Sequence, residues 1–175
     1  MIEHVIVGML LQGKMSGYDL KKVIEQSIGV FYKISYGSLY PALKRMTERG
    51  WINEEETGNS KNKKLYSVQP EGIQSFHLWL KEPLQANKRE HLLKIFFYDH
   101  LDEPTRLQQL EAYQRGVQMQ IAQMEHVQQI VSGELEHIVN KEDYYYRLSV
   151  MDYGIQFFKM ENHWLEMIKN RGSLT

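Results

Sequence analysis

The 175-residue chain contains no cysteine. That absence excludes a disulfide framework, a thiolate zinc site and a cysteine nucleophile. Long apolar runs are missing as well: residues 5–11, interrupted by Gly8, fall far short of the roughly 18 that suggest a membrane span. No lysine or arginine precedes them, so the basic start of a secretory signal is absent. The chain is therefore expected to be cytoplasmic, with no membrane partner. Net charge is nearly absent, since 21 basic against 22 acidic side chains leave −1. This rules out a uniformly basic nucleic-acid coat and an acidic solvating tail. Any charge-driven partner must meet a local patch. The seven histidines (His4, His77, His91, His100, His126, His137 and His163) show no metal-ligand spacing, and residues 13–17 lack the lysine-serine ending of a phosphate loop. Ser16 and Ser38 are accounted for as helix-start residues. No enzyme, metal site or cofactor is expected.

What is present has ordinary globular proportions, 42% hydrophobic and 25% charged. Ile2, Val5, Ile6, Met9 and Leu10 recur at helical spacing up to a stop at Gly13. Ser16 with Asp19 then starts a second helix burying Leu20, Val23 and Ile24. A third begins near Tyr36-Gly37-Ser38, carries Pro41 in its first turn, buries Leu39, Leu43 and Met46, and ends at Gly50 as the residue after the cap. The period changes at residues 51–56 and 63–68, two extended segments around the polar turn 57–62, which predicts a β-hairpin. Helical spacing returns with Ile73, Phe76 and Leu80 after Pro70. Pro83 marks a boundary.

The remainder reads as helical throughout. Leu92, Leu93, Phe96 and Phe97 make a short helix. Leu107, Leu110, Val117, Ile121, Met124, Val131, Leu135 and Ile138 step by three, four or seven over about 36 residues. A last helix over 142–170 places Leu148, Met151, Ile155, Phe158, Leu165 and Ile168 on one side, widened by Tyr153, Phe157 and Trp164. The expected division is 1–81 and 82–175. Residues 1–81 hold 11 basic and 8 acidic side chains and residues 82–175 hold 10 and 14, so a mildly basic first part precedes an acidic one.

Three short helices and a hairpin follow the order of a winged helix-turn-helix, whose third helix enters the major groove while the hairpin touches flanking backbone. The fold class expected is mainly α, a winged helix followed by a long-helix dimerisation domain. Lys44, Arg45 and Arg49 fall on the third helix and Lys61, Lys63 and Lys64 at the hairpin tip, the two elements such a fold presents to phosphate. Ser35, Tyr36, Ser38 and Tyr40 add hydroxyls near the helix start, with Tyr18 and Lys21 supporting from the second helix. Two readings compete: a double-stranded DNA interface, or a solvated charged face.

The residues that carry these features are distinctive. Ser16-Gly17-Tyr18-Asp19-Leu20, Ser35-Tyr36-Gly37-Ser38-Leu39-Tyr40-Pro41-Ala42-Leu43-Lys44-Arg45, Gly50-Trp51-Ile52 and Lys64-Leu65-Tyr66 resemble the PadR family of bacterial transcriptional regulators. The second block is the most specific, and the resemblance covers about residues 1–81. Leu93-Lys94-Ile95-Phe96-Phe97, the long helix, and Gly154 ten positions before Trp164 are similar to the carboxy-terminal helical domain of the family's longer branch, that of virulence activators. The chain departs from the family in two places. Gln69-Pro70 stands where a threonine usually caps the fourth helix, and the wing carries lysines without arginine, which favours phosphate attraction over bidentate base reading.

The resemblance implies a ligand-responsive repressor acting as a homodimer on a dyad operator. In the founding branch it implies phenolic acids that relieve repression of a detoxifying decarboxylase. The long stripes ask for a partner on physical grounds too. Leu110, Val117, Ile121, Met124, Leu148, Met151, Ile155, Phe158 and Leu165 are the expected dimerisation residues, against the alternative of an antiparallel pair inside one chain. Tyr145 and Arg147, in the run Tyr144-Tyr145-Tyr146-Arg147, could hold a small aromatic carboxylate effector, although packing at the start of the final helix explains the tyrosines equally well. The competing function is a dimeric helical adaptor whose winged helix binds protein.

Overall fold

A computed structural model describes residues 1–56, 64–85, 90–137 and 139–171. The expected fold class holds. Helix α1 (Ile2–Leu10) is followed by the two-residue strand β1 (Met15–Ser16), helices α2 (Gly17–Ser27) and α3 (Tyr36–Glu48), and strands β2 (Ile52–Glu56) and β3 (Lys64–Val68). Helices α4 (Pro70–Lys81) and α5 (Glu90–Phe96) come next. β1 pairs antiparallel with β3, so the wing is a three-stranded sheet ordered β1-β3-β2. Sequence reasoning missed β1 because two residues show no alternation. In the hairpin, Ile52 faces Val68 and Glu56 faces Lys64.

Local chemistry explains the boundaries. The Ser16 hydroxyl accepts from the Asp19 amide at 3.2 Å while Asp19 Oδ2 accepts from Ser16, a reciprocal cap for α2. Gly50 has φ +71°, the left-handed residue expected after α3. Pro41 sits in the second turn of α3, not the first. Its missing amide leaves the Gly37 carbonyl without its usual donor four residues on. α4 starts at Pro70 in its first turn, and its N-cap Gln69 makes no side-chain cap bond.

By packing, the chain divides into units Met1–Thr105 and Arg106–Thr175. The first therefore extends beyond residue 81. α5 and the 3₁₀ turn Tyr98–His100 belong to it because Phe97 meets Phe76 edge-on at 5.4 Å and fills the space beside Gly8 of α1. Phe76, Leu80, Leu20, Ile24, Leu39, Leu43 and Met46 are fully buried around α1, whose Val5, Ile6, Val7 and Met9 are wholly inaccessible. One lysine is buried with them. Lys94, 1% exposed, lies 3.3 Å from both the Glu82 carbonyl and Glu82 Oε2, 3.5 Å from Glu90 Oε1, and 5.5 Å from the centre of the Trp79 ring. It neutralises the negative end of α4 and ties α5 to it.

His4 stacks on Trp79 with ring centres 5.0 Å apart and approaches Ser75 Oγ at 3.3 Å, and burial pushes its pKa down to about 4. Between pH 6.5 and about 4 the unfolded chain binds the proton that the folded chain refuses. Its contribution is thus complete above pH 6.5 and is lost as the pH falls through that window. Discounted for partial exposure, the loss is on the order of 1–2 kcal/mol. Urea midpoints of the parent should drop further over this range than those of His4→Phe, and parallel curves would contradict this placement.

The second unit holds most of α6 (Glu103–Leu135), a 3₁₀ turn Lys141–Tyr144 and α7 (Tyr145–Lys169). α6 and α7 run antiparallel. Tyr113 bonds Glu161 at 3.1 Å, and Lys159 pairs with Glu125 at 2.6 Å. The buried Gln114 is satisfied by Asn162 at 3.2 Å, Glu166 at 3.3 Å and Lys169 at 2.8 Å. Ile138 of the expected stripe lies outside the described residues.

Candidate nucleic-acid interface

The face of the first unit that could meet nucleic acid is built on α3. Ser35 caps it, its hydroxyl accepting from the Ser38 amide and Ser38 Oγ accepting from the Ser35 amide, both at 3.2 Å. These two serines are exposed but already engaged in holding the helix start. With Leu39, Ala42, Leu43 and Met46 turned inward, Tyr36, Tyr40 and Lys44 follow one another at four-residue spacing outside. The Tyr36 and Tyr40 rings stack with centres 5.9 Å apart. Lys21, ion-paired to Glu25, stands 5.0 Å over the Tyr36 ring. The hydrogen bond from Lys21 to Glu25 raises its pKa. Gly17 opens α2 against Tyr40, where a Cβ would lie 2.9 Å from the ring and push that tyrosine outward. Tyr18 stands 62% exposed beside them.

The cations differ in how much of their charge is available. Lys44 is 79% exposed and its nearest carboxylate, Glu48, is 3.9 Å away, a separation too long and wet to neutralise it. Arg45 Nε reaches Glu3 Oε1 at 3.2 Å, and Arg49 Nη1 reaches Glu3 Oε2 at 3.4 Å. On β2, Glu54 takes Lys64 at 2.6 Å and Glu55 takes Lys14 at 2.7 Å. Burial pushes Tyr66 up to about 12, helped by the neighbouring Glu54 carboxylate, so its hydroxyl keeps its proton. An open cleft of about 520 Å³ runs between α3 and the hairpin, bounded by Tyr40 and Lys44 on one side and by Glu54, Lys64 and Tyr66 on the other. The structure thus brings Tyr18, Lys21, Tyr36, Tyr40 and Lys44 together, places Lys64 across the cleft beside a carboxylate, and sets Arg45 on the flank toward α1. Lys61 and Lys63 lie outside the described residues.

Residues 6–78 match the transcriptional regulator PadR-like family, and residues 87–171 match the virulence activator alpha C-terminal family. A PadR-like transcriptional regulator domain thus occupies residues 6–78 and a virulence activator alpha C-terminal domain residues 87–171. Over 101 residues, 55% of the chain and 56% of the relative, it is 33% identical to the negative transcriptional regulator PadR of Bacillus subtilis. Over 89 residues, 50% of the chain and 47% of the relative, it is 26% identical to a probable transcriptional regulator of Mycobacterium tuberculosis. The chain spans about half the length of the curated relatives it matches. Among solved structures, Bacillus subtilis PadR in complex with operator DNA is 23% identical, with 97% of this chain and 98% of that chain covered at a TM-score of 0.46. The same protein in complex with p-coumaric acid is 22% identical, with 97% of each chain covered at a TM-score of 0.43.

The second unit distributes the expected dimerisation residues over two environments. Leu110, Val117, Ile155 and Leu165 are at most 5% exposed within the single chain, while Ile121, Met124, Leu148, Met151 and Phe158 are half-buried. A different set is left open: Met119, Val127 and Ile130 along α6, and Val150, Tyr153, Phe157 and Met160 at three- and four-residue steps along α7. Tyr145 and Arg147 do not converge. Two positions apart on α7 they point to opposite sides, and Arg147 lies over the Tyr144 ring at 5.3 Å. Glu3, Lys14 and Glu55 were missed as neighbours of this face, because counter-charges 41 and 42 positions distant leave no periodic signal. Among the described residues no cluster suited to a metal ion occurs, and no helix is long and apolar enough to cross a membrane.

Proposed function

We propose that this PadR-like regulator binds double-stranded DNA as a homodimer and represses transcription from a dyad-symmetric operator. The observation that carries the reading is the exposed face of α3: a doubly capped helix start, a stacked tyrosine pair, and Lys44 with its charge essentially free. Major-groove reading asks for such a helix, with phosphate attraction beside it. Tyr36, Tyr40, Lys44 and Arg45 are the residues assigned to DNA, supported by Ser35, Ser38, Tyr18 and Lys21. The negative regulator among its relatives supports repression as the direction of control.

Dimerisation supplies two reading helices about one turn of DNA apart. The open stripes on α6 and α7 are the surface assigned to it, flanked by the half-buried Met124, Met151 and Phe158; left bare, so extended an apolar surface would favour aggregation. A small aromatic effector, phenolic acids first among them, is expected to release the DNA. Thermal shift with phenolic acids and then cationic drugs tests that part.

DNase protection on the region upstream of the chain's own gene tests the whole. Two equivalent protected half-sites are expected, and uniform binding that disappears with nonspecific competitor would refute the assignment.

The wing makes a separate expectation. Replacing Lys61, Lys63 and Lys64 together by alanine should flatten the salt dependence of binding by up to about 0.9 for each phosphate no longer neutralised. Lys64→Ala alone should do less, because Glu54 already offsets its charge. A triple variant with the parent's slope would show a wing that faces only solvent.

A further inference from the structure

On the flank of α3, one carboxylate holds two arginines. The Glu3 side chain is only 17% exposed, fixed at the start of α1, and its two oxygens take Arg45 Nε and Arg49 Nη1 separately. The two arginines are not equivalent. Arg49, one residue past α3, meets Glu3 through a terminal nitrogen, Nη1, and the same guanidinium lies 5.8 Å over the Trp51 ring, so its fork is already engaged although its side chain is 55% exposed. Arg45 gives only its Nε to Glu3, and its side chain is 47% exposed. A guanidinium held through Nε keeps both terminal nitrogens in a fixed plane, the fork that matches two acceptors on a guanine edge or a phosphate.

We infer that Glu3 is a specificity-determining positioning residue, which presents the terminal fork of Arg45 to DNA while offsetting the nonspecific attraction of both arginines. The inference rests on the DNA-binding reading above. It makes Glu3 act oppositely on two kinds of DNA. Its negative charge weakens attachment to any duplex, whereas its hold on Nε removes the rotamer freedom that Arg45 would otherwise lose on binding its own site.

The test uses the full chain, a duplex covering the stretch it protects upstream of its own gene, and a scrambled duplex of the same length. Affinities of the parent, Glu3→Gln, Arg45→Ala and the double variant are measured across a salt series. For Glu3→Gln, the preference for the protected duplex should fall about tenfold, in the range of one bidentate pair. Scrambled DNA should bind more tightly, with a salt slope steeper by up to about 0.9 for each phosphate newly neutralised. In the Arg45→Ala background the same substitution should leave the preference unchanged, which mere loosening of α1 against α3 would not do. A parent that prefers the protected duplex and a Glu3→Gln variant that keeps the preference would overturn this inference alone, as would an equal loss of preference in the Arg45→Ala background. A parent with no preference would overturn the regulator reading and this inference with it.

Discussion

Lys44→Ala combined with Arg45→Ala should weaken binding to the protected duplex about a hundredfold, two side chains at about 1–2 kcal/mol each. Fold and dimer should be unaffected. Lys44 makes only the 3.9 Å approach to Glu48, Glu3 keeps its bond to Arg49 when Arg45 is removed, and the apolar side of α3 is untouched. Scrambled DNA should also be held more weakly, though by less than the protected duplex, and the salt slope should become shallower by about 0.9 for each phosphate left without its cation. Gel shifts at two salt concentrations read both quantities. A double variant that binds as the parent does would remove α3 as the reading element.

Lys94→Ala should produce the second large effect, this time on stability. The ammonium is enclosed, and its removal leaves the carboxylates of Glu82 and Glu90 together at the end of α4. Breaking a fully buried pair costs about 3–5 kcal/mol. Here both carboxylates reach water, so about 2–3 kcal/mol is expected. Lys94→Met should recover part of that loss by restoring the apolar stem against Trp79. Urea denaturation of the three proteins decides it: an alanine variant within about 0.5 kcal/mol of the parent would behave like an ordinary surface change, and Lys94 would not be the tie between α4 and α5.

Most of the winged helix is legible in the residues because its signals are local. Ser16 with Asp19, Ser35 with Ser38, Gly50 after α3 and Pro70 at the start of α4 each act within a few positions, and the helical periods of Leu39, Leu43 and Met46 name the buried side directly. What escapes are features made by distant pairs. β1 exists only because Met15 and Ser16 find Tyr66 and Leu65. The wing looks basic in sequence, yet its described lysines are balanced in space, since Glu54 and Glu55 stand opposite Lys64 and Lys14. Arg45 reads as a free cation until α1 brings Glu3 to it.

The long helices show the same limit differently. Periodicity identifies an apolar side, but it does not say which part of that side the chain covers for itself. Leu110, Val117, Ile155 and Leu165 lie on the covered part, and Val150, Tyr153, Phe157 and Met160 on the part left open. Only the register between α6 and α7, fixed by Gln114 with its three partners and by Glu125 with Lys159, separates the two.

Sedimentation of the full chain, alone and with the duplex it protects, reaches the centre of the account. A species of twice 20.8 kDa that takes up a single duplex is the predicted result. A 20.8 kDa particle at micromolar concentration, sedimenting unchanged when that duplex is added, would contradict it.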